Sequence, residues 1–512
     1  MPRSHRSLTR NVEPVADDES TSHRLNHFAP FIAEFLGCML LACVFNAVRQ
    51  TGYHTLTPVT CGLTLTALTY CFGAISGAQF NPAVSFAIGL SGRGNWSMIL
   101  KYWVLQVLGS MAGVTLSVII YGQPADDPIG PREGFRSGSA FLVEFIYTGM
   151  LCLVFLNTMI SRSNNSVEAG NQYFGVAIGF VLAVAGYAIG DISGAVLNPA
   201  LSVALDLQNI LDGGLGYGLL YTFSETMGAF VAAVAFRVLR PNEDDDYETF
   251  SMNLKSLKEA GITHVKLVAE ASGTFLLVIT VGLVQLSENY STARPFGAAL
   301  AMTSMHYALA DVSGGYFNPA ITLAVILTGR DKCSVVQGTA YIIVQFVVGN
   351  IAAWFYTAVY NGKTFPIIEA DAVQRYHIRA VCAVQIIFTC AVAFTVLATS
   401  TDKGIDTKCK RNFYSGLAIG LSLCAGAFAT SKLSSGAMNP AMALGVSTAD
   451  LLNDDTQFWY CLYFIGSQFI GGALASVVYR ATHAGVYRRH RHFGDDGDDN
   501  VESQPLQDKT NP

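Results

Sequence analysis

The tripeptide Asn-Pro-Ala occurs four times in this chain, each time within a strongly apolar segment. Asparagine is a favoured helix N-cap because its side-chain oxygen accepts hydrogen bonds from the first N–H groups of the helix. Proline is favoured directly after the cap, where its missing N–H would have had no partner. Each copy therefore predicts a helix start whose asparagine amide also offers N–H donors to a solute. The four motifs are Asn81, Pro82, Ala83; Asn198, Pro199, Ala200; Asn318, Pro319, Ala320; and Asn439, Pro440, Ala441.

The apolar stretch after each motif is too short to cross a bilayer, because a spanning helix needs about 20 residues. We expect four half-helices, each with the positive end of its dipole at the motif. The non-helical chain that leads into a half-helix is tolerated at membrane depth only along a watery or protein-lined path. Two half-helices that meet head to head would line a pore that admits solutes with lone pairs and repels cations.

The overall composition is typical of a membrane protein, since 51% of the 512 residues are hydrophobic and only 13% are charged. Twelve apolar runs approach the length of a membrane span. In chain order they cover roughly 28–47, 58–74, 98–121, 139–160, 173–189, 215–238, 265–286, 295–310, 335–360, 378–399, 413–429 and 459–479. The net charge of −6 comes largely from the segments outside these runs.

The spacing of the motifs shows that the chain is a tandem repeat. Asn318 follows Asn81 by 237 residues (318 − 81), and Asn439 follows Asn198 by 241 (439 − 198). Each half holds two units of three spans and one motif, and an odd number of spans inserts neighbouring units in opposite orientations. The predicted fold class is an all-α membrane protein with two tandem modules, each of six transmembrane helices plus two re-entrant half-helices from an inverted repeat. The predicted segments are a polar N-terminal tail (1–25), the first module (26–240), an acidic linker (241–262), the second module (263–480) and a polar C-terminal tail (481–512).

Polar side chains recur at equivalent places within the apolar runs. The first span of each three-span unit carries one carboxylate or amide, and the third span carries another. The first-span residues are Glu34, Glu144, Glu270 and Gln385, and the third-span residues are Gln106, Glu225, Gln345 and Gln468.

The orientation follows from the basic residues. Six spans in each half put both termini and the linker on one side of the membrane. The linker flanks, the C-terminal tail and the loop 400–412 are rich in Lys and Arg, which predicts that this side is cytosolic.

These segments resemble the aquaporin and aquaglyceroporin (major intrinsic protein) family over roughly 26–239 and 263–479. "SGAQFNPAV" and "SGGYFNPAI" are similar to the first half-helix of that family, and "SGAVLNPAL" and "SSGAMNPAM" to the second. The resemblance implies passive flow of water or small neutral solutes through six-span bundles. It also implies that Glu34, Glu144 and Glu270 support the re-entrant loops, with the amide of Gln385 in the fourth place. The family usually assembles four pores, which a homodimer of tandem chains would supply.

The resemblance also locates a selectivity filter from which the family's arginine is missing. That arginine usually follows the second Asn-Pro-Ala of a module, where this chain has Leu201 and Met442. Spacing from the motifs places the other filter positions at Cys61, Gly186 and Ala195 in the first half and at Ala298, Phe428 and Gly436 in the second. We expect a wider constriction with less discrimination against solutes of glycerol size, or alternatively an apolar ring that dewets and closes.

No catalytic triad, phosphate-binding loop or metal-ligand pattern stands out in the sequence, so we expect no enzyme activity, cofactor, metal or nucleic-acid partner. The leading hypothesis is a passive channel for water or small uncharged solutes in a lipid bilayer. A twelve-span secondary transporter is one alternative, but it predicts ionisable coupling residues at the midplane, whereas the carboxylates here recur at scaffold-like positions. A non-conducting scaffold or regulatory protein is the other, because both filters lack their arginine.

Overall fold

The computed structural model of the protein describes residues 19–484, except 125–127, 167–168, 209–215, 244–262, 331, 369, 402–412, 432, 435, 437 and 454–457. Most of the predicted linker and of both predicted tails lies outside the described residues. The first helix already begins at Glu19, within the segment predicted as the N-terminal tail.

The described residues of 19–243, the first half, contain eight α-helices. They are α1 (Glu19–Val48), α2 (Thr57–Ser76), α3 (Pro82–Leu90), α4 (Trp96–Tyr121), α5 (Ser137–Phe155), α6 (Phe174–Ile189), α7 (Pro199–Gln208) and α8 (Tyr217–Leu239). A π-helical turn, Leu156–Ile160, continues α5, and β1 (Asn165–Ser166) pairs antiparallel with β2 (Ala169–Gly170).

Residues 263–484, the second half, repeat this order. The helices are α9 (His264–Leu286), α10 (Arg294–Ser313), α11 (Pro319–Thr328), α12 (Val335–Val359), α13 (Ala370–Thr399), α14 (Ser415–Thr430), α15 (Pro440–Asn453) and α16 (Tyr460–Thr482). His377 interrupts α13 with a φ of 57°, so the membrane-spanning part of α13 begins there. The predicted fold class is confirmed, including the half-helices α3, α7, α11 and α15, which all begin at the proline of a motif.

Within the described residues, nine helices are long and apolar enough to cross a membrane, fewer than the twelve predicted runs. The other three are α6, α10 and α14. Helices α6 and α14 have 16 residues each, which at about 1.5 Å per residue falls short of the hydrocarbon thickness of about 30 Å. Helix α10 has 20 residues but carries Arg294, His306 and Asp311. A count of twelve spans therefore rests on the places of α6, α10 and α14 in the two six-helix bundles, and not on their length and hydropathy.

The two halves pack against each other through α5 and α6 of the first and α9 and α10 of the second. Within the most apolar stretch of α5 and of α9, 72% of the residues are buried. The equivalent stretches of α13 and α1 are only 39% buried. One interface between modules is therefore formed within the chain. The equivalent faces of α1 in the first half and α13 in the second are largely exposed.

The linker begins with a polar contact between the halves. The Arg240 guanidinium donates hydrogen bonds to both carboxylate oxygens of Asp311, and its Nε donates to Asn157 Oδ1 at 2.9 Å. Glu243 accepts hydrogen bonds from the hydroxyls of Ser161 and Ser163, each at 2.7 Å, and from two backbone N–H groups of the same loop. Burial alone would raise the pKa of Glu243, but these hydrogen bonds hold it below its usual range.

Replacing Arg240 by Ala should destabilise the chain, because it removes the hydrogen bonds that the guanidinium donates to Asp311 and to the buried Asn157. Breaking such a pair costs about 3 kcal/mol, which corresponds to a melting temperature lower by roughly 5–10 °C for a bundle of this size. Thermal denaturation of detergent-purified protein measures the change. Arg136→Ala removes an exposed arginine and is the matched control; an equal shift in both variants would contradict the role of this contact.

Candidate pore site

The two half-helices of the first half meet through reciprocal hydrogen bonds. Asn81 Nδ2 donates to the backbone carbonyl of Leu197 at 2.7 Å, and Asn198 Nδ2 donates to the carbonyl of Phe80 at 2.9 Å. Each asparagine Oδ1 also accepts from the backbone N–H two residues later, at 2.9 and 3.0 Å. Each motif therefore caps its own half-helix and holds the loop of the opposite one.

The second half repeats this arrangement. Asn318 Nδ2 donates to the carbonyl of Met438 at 2.8 Å, and Asn439 Nδ2 donates to the carbonyl of Phe317 at 2.9 Å. The Oδ1 atoms again cap α11 and α15, at 2.9 and 3.0 Å. The chain thus contains two head-to-head half-helix junctions, one in each half.

The residue before the asparagine is strained in three of the four loops. Phe80, Leu197 and Phe317 have φ values of 48°, 54° and 51°, in the left-handed region that residues with a side chain rarely adopt. In each case a buried carboxylate accepts the backbone N–H of the strained residue: Glu34 at 2.7 Å, Glu144 at 2.9 Å and Glu270 at 2.7 Å. These acids hold a conformation that the chain alone disfavours.

Each oxygen of the Glu34 carboxylate accepts two hydrogen bonds. One oxygen accepts from Ser76 Oγ at 2.7 Å and from the Gln79 N–H at 2.9 Å. The other accepts from Phe80 N–H and from Gln106 Nε2 at 2.8 Å. Glu270 receives the equivalent four hydrogen bonds in the second half. A carboxylate with four donors is a structural acceptor for its loop.

The fourth loop is built differently. Gln385 donates to Ser434 Oγ at 3.0 Å and accepts from Gln468 Nε2 at 2.9 Å. The N–H of Met438 instead bonds to the carbonyl of Gly436 at 3.0 Å, and the φ of Met438 is not positive. Where Gln385 takes the place of the glutamate, the residue before the asparagine, Met438, therefore has no strained backbone angle.

In the first half, a midplane cavity of about 20 Å³ lies against Asn81 and Asn198. Its other lining is mainly aliphatic and includes Leu41, Leu182 and Leu201. This volume holds about one water molecule. This small cavity thus combines two amide groups with an apolar wall.

Three of the predicted filter residues of the first half share one cavity. Cys61, Gly186 and Ala195 line a cavity of about 1030 Å³, whereas Leu201 lines the midplane cavity. A side chain at Gly186 would place its Cβ only 2.6 Å from the Cβ of Pro58, so close helix packing keeps this position small.

In the second half, the helix register pairs Gly186 of the first half with a residue other than the predicted Phe428. Helices α6 and α14 have the same length and are offset by 241 residues, so Ala427 is the equivalent of Gly186, and Phe428 is the equivalent of Tyr187. Tyr187 lies in the interface between the halves, with its ring 5.6 Å from that of Tyr290. Phe428 is 44% exposed, so its side chain belongs to the equivalent open face. Phe428 was predicted because "SSGAMNPA" is one residue shorter than "ISGAVLNPA", whereas the two helices keep one register.

Ala298, Gly436 and Met442 are the register equivalents of Cys61, Ala195 and Leu201. Ala298 and Met442 are buried, and a Cβ on Gly436 would lie 3.2 Å from the Cβ of Ala427. These contacts bring Gly436 next to Ala427 rather than next to Phe428.

The large cavity opens on what we call the Asp191 face, formed by the loops 49–57, 128–136, 190–195, 286–294 and 360–368. Residues of both halves line the cavity, among them Arg49, Arg132, Asp191, Glu288 and Lys363. The opposite side, the Asp311 face, carries a cavity of about 420 Å³ in the second half. Tyr316 lines this second cavity and is 3% exposed, at the position where the first half has Gln79.

The fold brings Arg132, which the motifs did not indicate, to the loop that leads into the second Asn-Pro-Ala. Its backbone N–H donates to the carbonyl of Ile192 at 2.9 Å. Its Nη2 lies 3.4 Å from the point that a Cβ on Gly194 would occupy, one residue before Ala195. No spacing rule relates Arg132 to a motif 66 residues later in the chain (198 − 132), so the sequence held no signal for this contact.

One protein family matches the chain in three overlapping segments. The sequence profile described as "Major intrinsic protein" matches residues 21–204, 160–284 and 262–479. Glycerol uptake facilitator protein-like 6 of Lactiplantibacillus plantarum is 31% identical over 223 residues, which are 41% of this chain and 97% of the relative. Aquaporin A of Dictyostelium discoideum is 31% identical, over 46% of this chain and 89% of the relative. Nearly a whole relative thus corresponds to less than half of this chain.

A plant protein and a solved structure are also similar to part of this chain. Aquaporin NIP1-3 of Oryza sativa subsp. japonica is 28% identical over 46% of this chain and 85% of the relative. Among solved structures, the aquaglyceroporin from Plasmodium falciparum matches with 20% identity and a TM-score of 0.38, over 42% of this chain and 98% of its own.

Glu34→Gln should destabilise the first half, because an amide offers only one acceptor oxygen to the four donors that the carboxylate receives. A buried donor left without its acceptor costs about 1–3 kcal/mol, and the strained Phe80 would lose its restraint. The expected result is a melting temperature several degrees lower, with slower solute flux. Glu133→Gln, which changes an exposed carboxylate in the same way, is the control. An unchanged melting temperature for Glu34→Gln would show that the carboxylate does not hold the loop.

Proposed function

Because the chain belongs to the major intrinsic protein family, we propose that it is a passive transmembrane channel for water and small uncharged solutes of the glycerol class. Relatives named as a glycerol uptake facilitator and as aquaporins support this proposal. The observation that carries it is the pair of reciprocal asparagine contacts between half-helices at the centre of each half.

The chemistry of this junction suits an uncharged solute. A side-chain amide has two N–H donors, and each asparagine uses one of them to hold the opposite loop. The second is then available to an oxygen atom of a passing solute. The half-helices also point their positive dipole ends at this place, which disfavours cations.

The filter residues support a solute with a carbon skeleton. Cys61, Gly186 and Ala195 are small, and they border a wide cavity instead of a tight polar ring. Leu201 adds an aliphatic surface next to the amides of Asn81 and Asn198. A polyol matches this pairing, because its hydroxyl groups meet the amides and its CH groups meet the apolar wall.

The contacts of the buried acids weigh against a secondary transporter. Such a transporter needs ionisable groups that bind and release a coupling ion. Glu34, Glu144 and Glu270 are instead occupied by the N–H groups of their loops, and Glu225 accepts the Asn198 N–H at 2.9 Å. Releasing any of them would free a strained or capping segment.

We assign conduction to the first half and a closed state to the second. Tyr316 is buried at the Asp311-face entrance of the second half, where its ring lies 6.2 Å from that of Tyr341. Gln79, at the equivalent position of the first half, is a smaller and flexible side chain. In this proposal the second module resembles the non-conducting scaffold of the alternative hypothesis, because it contributes to assembly and not to flux.

We also propose an orientation and an assembly. We place the Asp311 face and both termini in the cytosol, on the strength of the basic residues on that side. The open faces of α2 and α14 match the faces that α10 and α6 bury between the halves. Leu63 is 55% exposed, but its counterpart Leu300 is 9% exposed. A dimer of chains that repeats the internal interface would cover both open faces and hold four modules.

Glycerol flux into proteoliposomes, followed by stopped-flow light scattering, tests the channel. Wild-type protein should accelerate re-swelling in glycerol well above empty liposomes. A thiol-directed mercurial should slow this flux, because Cys61 borders the first pore and its second-half equivalent is Ala298. Cys61→Ala should abolish the inhibition, and Cys424→Ala, which alters a buried cysteine of the second half, should leave it intact.

The same assay tests the closed second half. Under mercurial block, Tyr316→Gln should restore a flux that wild-type protein lacks. Flux no faster than that of empty liposomes, from protein that is monodisperse in detergent, would reject the channel and favour the scaffold.

The mass of the complex in detergent tests the assembly, and two chains are the expected result. Leu421→Trp should shift it to one chain, because Leu421 lies on the open face of α14 and bulk there prevents close packing. Val104→Trp is the matched control, since Val104 on α4 has the same exposure of 59% but lies outside the face that the internal interface repeats. Loss of the dimer in both variants, or in neither, would argue against this interface.

A further inference from the structure

We propose that Glu225 is a positioning residue of the first pore that acts as a neutral carboxylic acid. One of its oxygens holds Asn198, and the other carries a proton that it donates to Glu144. The effect of Glu225 on flux rests on the proposed channel function, because Asn198 belongs to the junction at the centre of the pore. Its protonation state does not depend on that function.

Two buried carboxyl groups support the chain at the second motif. Glu144 on α5 and Glu225 on α8 are both 0% exposed, and the two helices pack against each other. Glu144 accepts the N–H of Leu197 at 2.9 Å, and Glu225 accepts the N–H of the next residue, Asn198, at 2.9 Å. Because consecutive N–H groups bind them, the two carboxyl groups lie close together.

Two negative charges at this place would repel each other without water to screen them. Within the described part of the chain, neither Glu144 nor Glu225 forms an ion pair with a Lys or Arg side chain. Coulomb repulsion is strongest in such a low-dielectric site, and two adjacent buried carboxylates cannot both ionise. One of the two groups therefore holds a proton.

Both oxygens of Glu144 serve as acceptors. Its Oε1 accepts from Ser193 Oγ at 2.6 Å and from Val196 N–H at 3.1 Å, and its Oε2 accepts from Leu197 N–H. An ionised carboxylate accepts with both oxygens and donates with neither. A proton added to either oxygen would compete with one of these donors, so Glu144 is the ionised partner.

Glu225 uses only one of its oxygens in this way. Its Oε1 accepts from Asn198 N–H and from Ser202 Oγ, each at 2.9 Å. Its Oε2 is buried, and no hydrogen-bond donor among the described residues reaches it. An acceptor left without a donor is costly in such a place, whereas a protonated Oε2 is itself a donor and needs none. The proton therefore belongs to Glu225.

The equivalent side chains of the other three units are amides, and each of them donates a hydrogen bond to the first-span side chain of its unit. The pairs are Gln106 to Glu34 at 2.8 Å, Gln345 to Glu270 at 2.9 Å and Gln468 to Gln385 at 2.9 Å. Glu225 is the carboxyl group of this set, and only a protonated oxygen lets it donate as the amides do. By this equivalence its O–H group donates to Glu144.

This arrangement connects Glu225 to the pore. Asn198, whose N–H it accepts, donates through Nδ2 to the carbonyl of Phe80 at 2.9 Å and lines the midplane cavity. Glu225 therefore fixes the start of α7 and with it the place where the Asn198 amide meets a solute. As a neutral acid it does so without adding a negative charge beside the junction.

Infrared spectroscopy of the full chain in lipid at neutral pH tests the protonation state. A protonated carboxylic acid has a carbonyl band above the amide region, and an ionised carboxylate does not. The difference spectrum of wild type minus Glu225→Gln should contain this band. Glu133→Gln, which changes an exposed carboxylate in the same way, is the control and should give no such band.

Thermal denaturation and glycerol flux test the positioning role. Glu225→Gln keeps an acceptor for Asn198 and a donor for Glu144, so its melting temperature and flux should equal those of the wild type. Glu225→Met has a similar size but makes neither hydrogen bond, and it should melt several degrees lower and conduct more slowly. Glu144→Gln should also melt several degrees lower, because it loses an acceptor oxygen that its loop needs.

Two results would overturn the assignment: a difference spectrum without the carbonyl band, or an equal loss of stability in Glu225→Gln and Glu144→Gln. A wild-type chain that passes no glycerol would reject the proposed channel. The infrared band and the melting temperatures would in that case still decide the protonation of Glu225, so the two failures are distinguishable.

Discussion

The structure depends on satisfying the backbone N–H groups of the non-helical chain that enters the membrane before each half-helix. Water is scarce there, and an unpaired buried N–H group costs several kcal/mol in a lipid environment. A buried acid in the preceding span meets this need in three of the four loops, and it also holds the strained residue before the asparagine. The asparagine amides can then reach the opposite loop.

This constraint explains why the two halves keep the same scaffold but differ at their entrances. The carboxylates, the caps and the reciprocal amide contacts are tied to one another, so a change in one exposes a buried donor. At the entrances, Gln79 and Tyr316 occupy equivalent positions with different side chains, while the backbone N–H of each donates to the buried acid of its loop. The two junctions are therefore alike, although the side chains at the two entrances differ.

Because two modules are joined in one chain, the same face of each module has different surroundings. Tyr187 is buried between the halves, whereas Phe428 at the same place in the second half is exposed. The Arg240–Asp311 contact adds a polar tie on one side, and the 1030 Å³ cavity collects residues of both halves on the other. The fixed order of the modules thus creates an interface and a shared vestibule that a single module would not have.

The sequence by itself determined the tandem repeat, the four helix starts and the acids that support three of the loops. The repeat and the helix starts follow from the capping preference of Asn-Pro and the length of the apolar runs. The supporting role of the acids is what the family resemblance implied for the Glu that recurs in the first span of three units. The tertiary structure decided the register of α14, in which Ala427 and not Phe428 is the equivalent of Gly186, and the proximity of Arg132 to Gly194. Both depend on how helices and loops that are distant in the chain pack together, and residue spacing carries no information on such contacts.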